Sequence, residues 1–405
     1  MRGRREAAAG WSGAMTPSRH AGPLAALAAL AVAVVCAGSA QGATVRCGTT
    51  ITRDTTLTAD LAGCSDNGIV IGADGVTLDL AGHTVSGDGA LREDCPPDQP
   101  CDLGVLAEGR SGVVVKNGSV RGFALDVLLV GSTRSRLTAL TATEATFSGI
   151  LLADTTASRV DASVVAGNGL ETDQAGLVLF GSSRNRVERT VVARNGDVGI
   201  FMQGGGDNRI ERTTVVDHPE AGIAADGVRN VLAQNVLRRN GDGIIAIGDG
   251  TLVVGNELSD LPGCGEECGF GISVEGGAGI RVVDNEVRDA EQAGIRVAAF
   301  EPDTPPTTGT LVARNRTSGT RLDGILIEPT ATRTRLERNV AIGNGDDGID
   351  VQQAASVLVR NTAALNGDLG IAAVAGVTDG GGNRAQRNGD PDECTNVACR
   401  LIQGP

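Results

Sequence analysis

The chain has 405 residues, with 49 Asp and Glu against 35 Lys and Arg, a formal charge of −14, and aromatic residues at only 2%. So acidic a chain is a poor partner for nucleic acid or an anionic membrane surface, because both bind through neutralised phosphates.

In chain order, Arg2, Arg4, Arg5 and Arg19 come first, followed by an apolar run from Leu24 to Val35 and then small residues up to Ala43. This is the layout of a secretory signal peptide, too short for a membrane span, and it predicts cleavage after Ala40 or Gly42, with Met15 an alternative start. Cys36 follows Val35 rather than the small residue of a lipoprotein box, so no lipid anchor is expected. Removing residues 1–42 takes away four Arg and one Glu, which leaves 31 basic against 48 acidic residues, a net −17. The mature chain is expected to be extracellular and not inserted in a membrane.

Eight cysteines remain, as near neighbours: Cys47 with Cys64, Cys95 with Cys101, Cys264 with Cys268 and Cys394 with Cys399. An even number in a secreted chain predicts four local disulfides. Zinc ligation is disfavoured, because neither a CxxC spacing nor clustered His accompanies them. A copper role is disfavoured by two mature His and the single mature Met202.

From Gly149 onward, Gly followed by an aliphatic residue recurs at Gly176, Gly199, Gly222, Gly243, Gly271, Gly294, Gly324, Gly348 and Gly370. Most intervals are 21–24 residues, with longer ones of 27, 28 and 30. A repeat of this size, built from short Val, Ile and Leu runs without helical periodicity, predicts a β-solenoid with a few short strands per coil. A second column fixes the register: Asn235, Asn256, Asn285, Asn315, Asn339 and Asn361 each stand three residues after an aliphatic one, and Thr213, Thr190 and Ser163 continue the column N-terminally. Stacking at about 4.8 Å predicts an amide ladder along these Asn side chains.

Exposed strand edges at the two ends of such a stack need cover. The expected division is an N-terminal cap at 43–67, coils at 68–375 and a C-terminal cap at 376–405, with about thirteen coils.

The most acidic stretch is NGDDGIDV, residues 344–351, and its opening recurs as Asn195-Gly-Asp197, Asn240-Gly-Asp242, Asn366-Gly-Asp368 and Asn388-Gly-Asp390, with Asn168-Gly169 repeating the first two residues. Asn and Gly tolerate positive φ, so recurrence predicts a tight corner and makes Asp346 a turn residue. Asp347 and Asp350 have no such explanation. Alternation turns Asp350 outward, and the matching places on preceding coils add Glu275, Arg296 and Glu328 to one outer wall. The insertions Leu261–Phe270 and Ala299–Thr310 are expected to wall a groove beside it. The carboxylates suit acid and base chemistry on a sugar, or Ca²⁺, and Arg296 suits neutralising a uronate or taking its proton. Phe180 and Phe201 fall on the same wall and offer one small stacking platform.

The Gly-Ile starts, the Asn column and the segment Gly75-Val-Thr-Leu-Asp-Leu-Ala-Gly-His-Thr-Val-Ser-Gly87 resemble the right-handed parallel β-helix proteins of the pectate-lyase-like superfamily, from about Cys47 to Cys399. Relatives usually have Asn where this chain has Ala81. The resemblance implies an all-β right-handed solenoid; it does not fix an activity, since the scaffold hosts lyases, hydrolases, epimerases and adhesins. The cluster Asp346, Asp347 and Asp350 is similar to the acidic cluster of polygalacturonases, whose Gly-His-Gly and Arg-Ile-Lys motifs are absent here. The Trp-Ile-Asp-His and Arg-x-Pro-x-x-Arg patterns of pectate lyases are absent too. The Tyr and His pair of alginate-type enzymes has no counterpart in a chain without Tyr. His83 reads as a structural hydrogen-bonding residue.

Two functions follow as expectations. One is a secreted carbohydrate-associated protein that cleaves acidic polysaccharide, with Arg296, Asp347, Asp350 and Glu328 as its chemistry and Glu275, Phe180 and Phe201 as its binding residues. The other is a non-catalytic wall that binds a polysaccharide or cell-surface glycan.

Overall fold

The computed structural model describes residues 45–91, 101–265, 268–299 and 306–401. The leader read over residues 1–42, Cys95 and parts of both insertions lie outside them. Among the described residues every regular element is a short strand, and no helix is long and apolar enough to cross a membrane. One face is a parallel sheet of fourteen strands in strict coil order, from Thr49–Ile51 to Ile371–Ala373. This matches the solenoid read from the repeat, whose spacing counts about thirteen coils. The other strands of each coil stack on their counterparts one coil away, so that Leu252 pairs with Arg281 and Glu257 with Glu286. The result is an all-β right-handed parallel β-solenoid.

The Gly-Ile register explains the core. Ile223, Ile244, Ile272, Ile295, Ile325, Ile349 and Ile371 are direct partners from coil to coil and have no solvent exposure. Alternation sends the next residue of each strand outward, and that row carries the candidate site.

The predicted Asn ladder is present and buried. In Asn256 both the backbone N–H and the side-chain amide donate to Asn285 Oδ1 at 2.9 Å, while the amide also donates to the Leu232 carbonyl. The same bonds join Asn285 to Asn315, Asn315 to Asn339 and Asn339 to Asn361, and the column runs one coil further, to Asn383. Each amide satisfies backbone groups at a bend, where the ladder of the flat faces is interrupted.

The Asn-Gly-Asp corners differ in mechanism from the expectation. Their Asn residues build a second buried ladder, Asn168 to Asn195 and Asn344 to Asn366 to Asn388. Positive φ falls one residue earlier, at Arg194, Arg239, Gly343, Leu365 and Arg387. The Gly that follows Asn is needed for close approach: a Cβ on Gly345 would lie 2.1 Å from the Arg321 carbonyl oxygen.

His218 fills the gap in this second ladder. Its Nδ1 lies 2.9 Å from Asn240 Oδ1 and its Nε2 lies 3.1 Å from Asn195 Nδ2, so Nδ1 donates and Nε2 accepts. Burial lowers its pKa to about 4, although the Asn240 bond and Asp217 oppose the shift. A depressed value means that stability is full above the unfolded pKa near 6.5 and is lost as pH falls through about 4. His218→Asn, a ladder member without a proton to gain, is expected to flatten the drop in melting temperature between pH 7 and pH 4. Thermal melts across that range check it, and parallel curves for the two proteins would refute the assignment.

Three disulfides, Cys47–Cys64, Cys264–Cys268 and Cys394–Cys399, match the pairing read from spacing, and Cys101 is disulfide-bonded as well. His83 Nδ1 lies 3.1 Å from Asp60 Oδ1, a structural bond as expected.

Candidate active site

The outward row of the fourteen-stranded face places Ser273, Arg296, Leu326, Asp350 and Ala372 on successive coils. The acidic and basic residues predicted for this wall form two groups.

In the first, Arg296 Nε donates to Glu328 Oε1 at 2.6 Å, and Arg296 Nη1 lies 3.6 Å from Glu275 Oε1. Ser273 Oγ donates to the same Glu275 oxygen at 2.9 Å. The guanidinium carbon sits 4.9 Å from the centre of the Phe270 ring, at the end of the first insertion. The Arg296 side chain is 13% exposed and that of Glu275 only 4%, so an Arg and two carboxylates are held together under an aromatic ring. Such a network fixes the orientation of the guanidinium and stiffens the wall.

The second group gathers at the NGDDGIDV corner. The Asn344 ladder and the close packing of Gly345 set the path of the chain there. The Asp347 backbone N–H donates to Asp323 Oδ1 at 3.1 Å, and Asp347 Oδ1 accepts the Leu369 N–H at 2.8 Å. Asp350 Oδ2 accepts from Gln352 Nε2 at 2.6 Å. Burial raises the Asp323 carboxyl to about 7, with further upward pressure from Asp350, Asp347 and Asp346. Burial likewise raises Asp347 to about 6, and Asp346, Asp350 and Asp368 add to it. Asp350 is raised by burial and by Asp346. Several carboxyls thus share one patch in which they cannot all ionise together near neutral pH, the electrostatic condition for an acid and a base side by side.

Sequence reasoning missed Asp323. The available signal was the place before Gly-Ile, which is Asp in three coils: Asp242, Asp323 and Asp347. The first of these is structural, since the Asp242 carboxylate accepts the Gly269 and Phe270 N–H groups at 2.7 and 2.8 Å and anchors the end of the insertion.

One oxygen from each of Asp346, Asp347 and Asp368 falls within 4.8 Å of the others. That is three of the six to eight oxygens that Ca²⁺ takes, with water left to supply the rest.

Phe180 and Phe201 stand on adjacent coils, each half-buried, with Phe201 opposite Val178 and Phe180 opposite Gln203. Four coil steps, about 19 Å at ~4.8 Å each, separate Phe201 from Arg296, so the fold does not bring this platform to the carboxylates. A groove of about 530 Å³ at the base of the first insertion is lined by Leu261, Pro262, Asp289, Glu291 and Arg321, and by neither Arg296 nor Asp350.

A carboxyl raised on folding contributes stability that is present below its unfolded pKa and is lost as pH rises through the folded one. For Asp323 that window runs from about 4 up to about 7. Asp323→Asn keeps the oxygen that accepts the Asp347 N–H and removes the charge. It is expected to raise the melting temperature at pH 8 by a few degrees and to leave it unchanged at pH 4. An equal shift at both values would show that the carboxyl does not titrate as described.

The model of the family described as right handed beta helix region matches residues 103–258 and 221–388. Among solved structures, the periplasmic alginate epimerase AlgG is similar, with a TM-score of 0.52 and 14% identity over 79% of this chain and 76% of that one. The tailspike protein of E. coli bacteriophage HK620, in complex with a pentasaccharide, gives 0.53 and 14% over 88% and 73%. The catalytic domain of a GH87 α-1,3-glucanase in complex with nigerose gives 0.53 and 17% over 73% and 63%. At these identities the likeness is one of fold. No curated protein matches the sequence.

Proposed function

Because the chain belongs to the right-handed β-helix family, a scaffold whose activities reside in the groups its walls display, we propose that it is a secreted, carbohydrate-acting protein that hydrolyses an acidic polysaccharide at the Asp323, Asp347 and Asp350 patch. The carrying observation is this set of carboxyls, crowded on one wall and raised by burial to about 7 for Asp323 and about 6 for Asp347. In this reading Asp347 is the general acid and Asp350 its partner across the sugar. Asp323, buried behind them, is a positioning residue that holds the Asp347 backbone. Hydrolysis is favoured over elimination because Arg296, the base that elimination would use, has its guanidinium tied between Glu275 and Glu328. Phe180 and Phe201 then serve a distant part of a long polymer. Ca²⁺ bridging to uronate groups would be held by the exposed Asp346 and Asp368, which leaves Asp347 its proton.

Similar structures determined with a pentasaccharide and with nigerose support a carbohydrate ligand. The disulfides and the apolar leader support secretion. The proposed division is a leader at 1–42, an N-terminal cap at 43–67, coils at 68–375 and a C-terminal cap at 376–405, the caps carrying the outermost paired strands Thr49–Ile51 and Arg384–Gln386.

The test incubates the mature protein with polygalacturonate, alginate and dextran, with Ca²⁺ or with chelator. New reducing ends and the ultraviolet absorbance of unsaturated uronates are followed together. Reducing ends without absorbance are expected. Absorbance would mean elimination and return Arg296 to the centre of the site. No product from folded protein would leave the wall a binding or adhesion surface.

A further inference from the structure

On a different sheet of the solenoid, several coils N-terminal to the aspartates, the strands Arg159–Asp161, Arg186–Glu188 and Arg209–Glu211 stack in register. Their middle residues, Val160, Val187 and Ile210, point into the core with no exposure. The flanking charges therefore point outward as two parallel columns. One column is Asp161, Glu188 and Glu211; the other is Arg159, Arg186 and Arg209, extended by Arg136, the partner of Arg159 in the preceding coil. Arg189 and Arg212, at the positive-φ corner just beyond, turn back over the same carboxylates.

The two columns differ in depth. The three carboxylate side chains are only 2–3% exposed, whereas the six guanidinium side chains are 35–52% exposed. Asp161 is approached by Arg136 at 3.3 Å, Arg189 at 2.7 Å and Arg159 at 3.6 Å. Glu188 is flanked by Arg159, Arg186, Arg189 and Arg212, and Glu211 by Arg186, Arg209 and Arg212. Among the described residues no other carboxylate pairs with these six arginines. Six positive charges over three buried negative ones leave a local surplus of three, on a chain whose net charge is −14. Like-charge crowding has a visible effect: burial and the neighbouring Arg209, Arg159, Arg212 and Arg189 all lower the Arg186 pKa.

We propose that this strip is a docking surface for an acidic polysaccharide, separate from the aspartate patch and independent of any turnover there. The carboxylate floor holds the guanidiniums in place, and their outward N–H groups face solvent, where a guanidinium fork matches a carboxylate or sulfate group. Four arginines at ~4.8 Å per coil make a straight track of about 14 Å along the solenoid axis. A track suits a linear chain that carries one anionic group per sugar. A single-stranded nucleic acid is the poorer fit, because it binds through aromatic stacking platforms and the strip has none.

Retention of the mature protein on immobilised polygalacturonate, heparin and dextran at increasing salt tests this, with polygalacturonate and heparin separating carboxylate from sulfate. The expected result is retention on at least one of the two anionic polymers at low salt, lost as salt rises, and none on dextran. Arg136→Gln with Arg189→Gln and Arg212→Gln leaves each carboxylate an arginine partner and should weaken binding about tenfold or more. Arg229→Gln with Arg239→Gln and Arg314→Gln removes the same charge from one-to-one pairs with Asp207, Asp217 and Asp284 and should not weaken it. Arg136→Gln alone, which touches Asp161 only, gives a graded loss if the triple variant fails to fold. The Arg136, Arg189 and Arg212 triple variant should keep the parent's kcat on any polymer that is cleaved, which separates this inference from the catalytic one. No retention on either anionic polymer, equal losses in the two triple variants, or tighter binding to single-stranded DNA would overturn it.

Discussion

Replacing Asn315 by Leu is expected to cost the fold about 2–5 kcal/mol, a large part of the ~5–15 kcal/mol that holds a typical native chain together. Leu has similar bulk, so the loss is one of hydrogen bonds. Asn315 Oδ1 accepts the Asn285 backbone N–H at 2.9 Å, and its amide donates to the Val282 carbonyl at 2.8 Å. Both partners are buried between coils, where water cannot replace the lost bond, and each orphaned group costs about 1–3 kcal/mol. Coils contact only their neighbours, so the damage is local, but Asn285 and Asn339 lie on both sides of the cut. Urea denaturation followed by far-ultraviolet circular dichroism gives the measurement, with Arg316→Gln as an exposed neighbour for comparison. Equal midpoints for the two variants would mean that the ladder adds nothing to stability.

This ladder was legible because three constraints agreed on it. The aliphatic-x-x-Asn spacing, the Gly-Ile starts and the period of about 23 residues all require the same coil. The Asn-Gly-Asp corners show where local chemistry misleads. Asn and Gly have the composition of a positive-φ turn, and that reading needs only a dipeptide. The second ladder depends on what lies one coil away: Asn344 meets Asn366, and Gly345 meets the Arg321 carbonyl. No local pattern marks a contact between residues 22 or more apart in sequence. His218 was hidden for the same reason, since a His can stand in for Asn only where amide partners lie above and below.

The site was half legible. Alternation along Ile349–Val351 correctly turned Asp350 outward, and register placed Glu275, Arg296 and Glu328 on neighbouring coils. Pairing was beyond reach: side-chain length and loop cover decide that Arg296 closes on two carboxylates beneath Phe270. Burial was beyond reach as well, and it raises Asp323 and Asp347 when composition alone predicts ordinary exposed acids. The arginine strip lies in a part of the chain where sequence reading found repeats and the Phe180 and Phe201 platform but no charged site. Its columns, Arg159 to Arg209 and Asp161 to Glu211, become a charged surface only once the coils are in register.

Asp347→Asn is expected to reduce kcat on the cleaved polymer by about 10²–10⁴, the usual contribution of a positioned general acid, with KM changed little. The acid form of Asp347 persists to about pH 6 because the carboxyl is half-buried and faces Asp346, Asp350 and Asp368. Wild-type turnover should therefore decline as pH rises through that value, where the proton to be donated to the leaving group is lost. Asp346 supplies the largest charge contribution to that shift and is itself exposed. Asp346→Asn should accordingly keep turnover at acid pH and move the alkaline limb of the profile to lower pH, since removing a neighbouring negative charge eases ionisation of Asp347. Glu328→Gln, whose side chain is tied to Arg296, should leave the limb where it is. Rates from pH 4 to pH 8 for the four proteins decide the matter. Full activity in Asp347→Asn would remove this residue from the chemistry. An unmoved limb in Asp346→Asn would show that some other group sets the pH dependence, with Asp323, raised to about 7, the next to test.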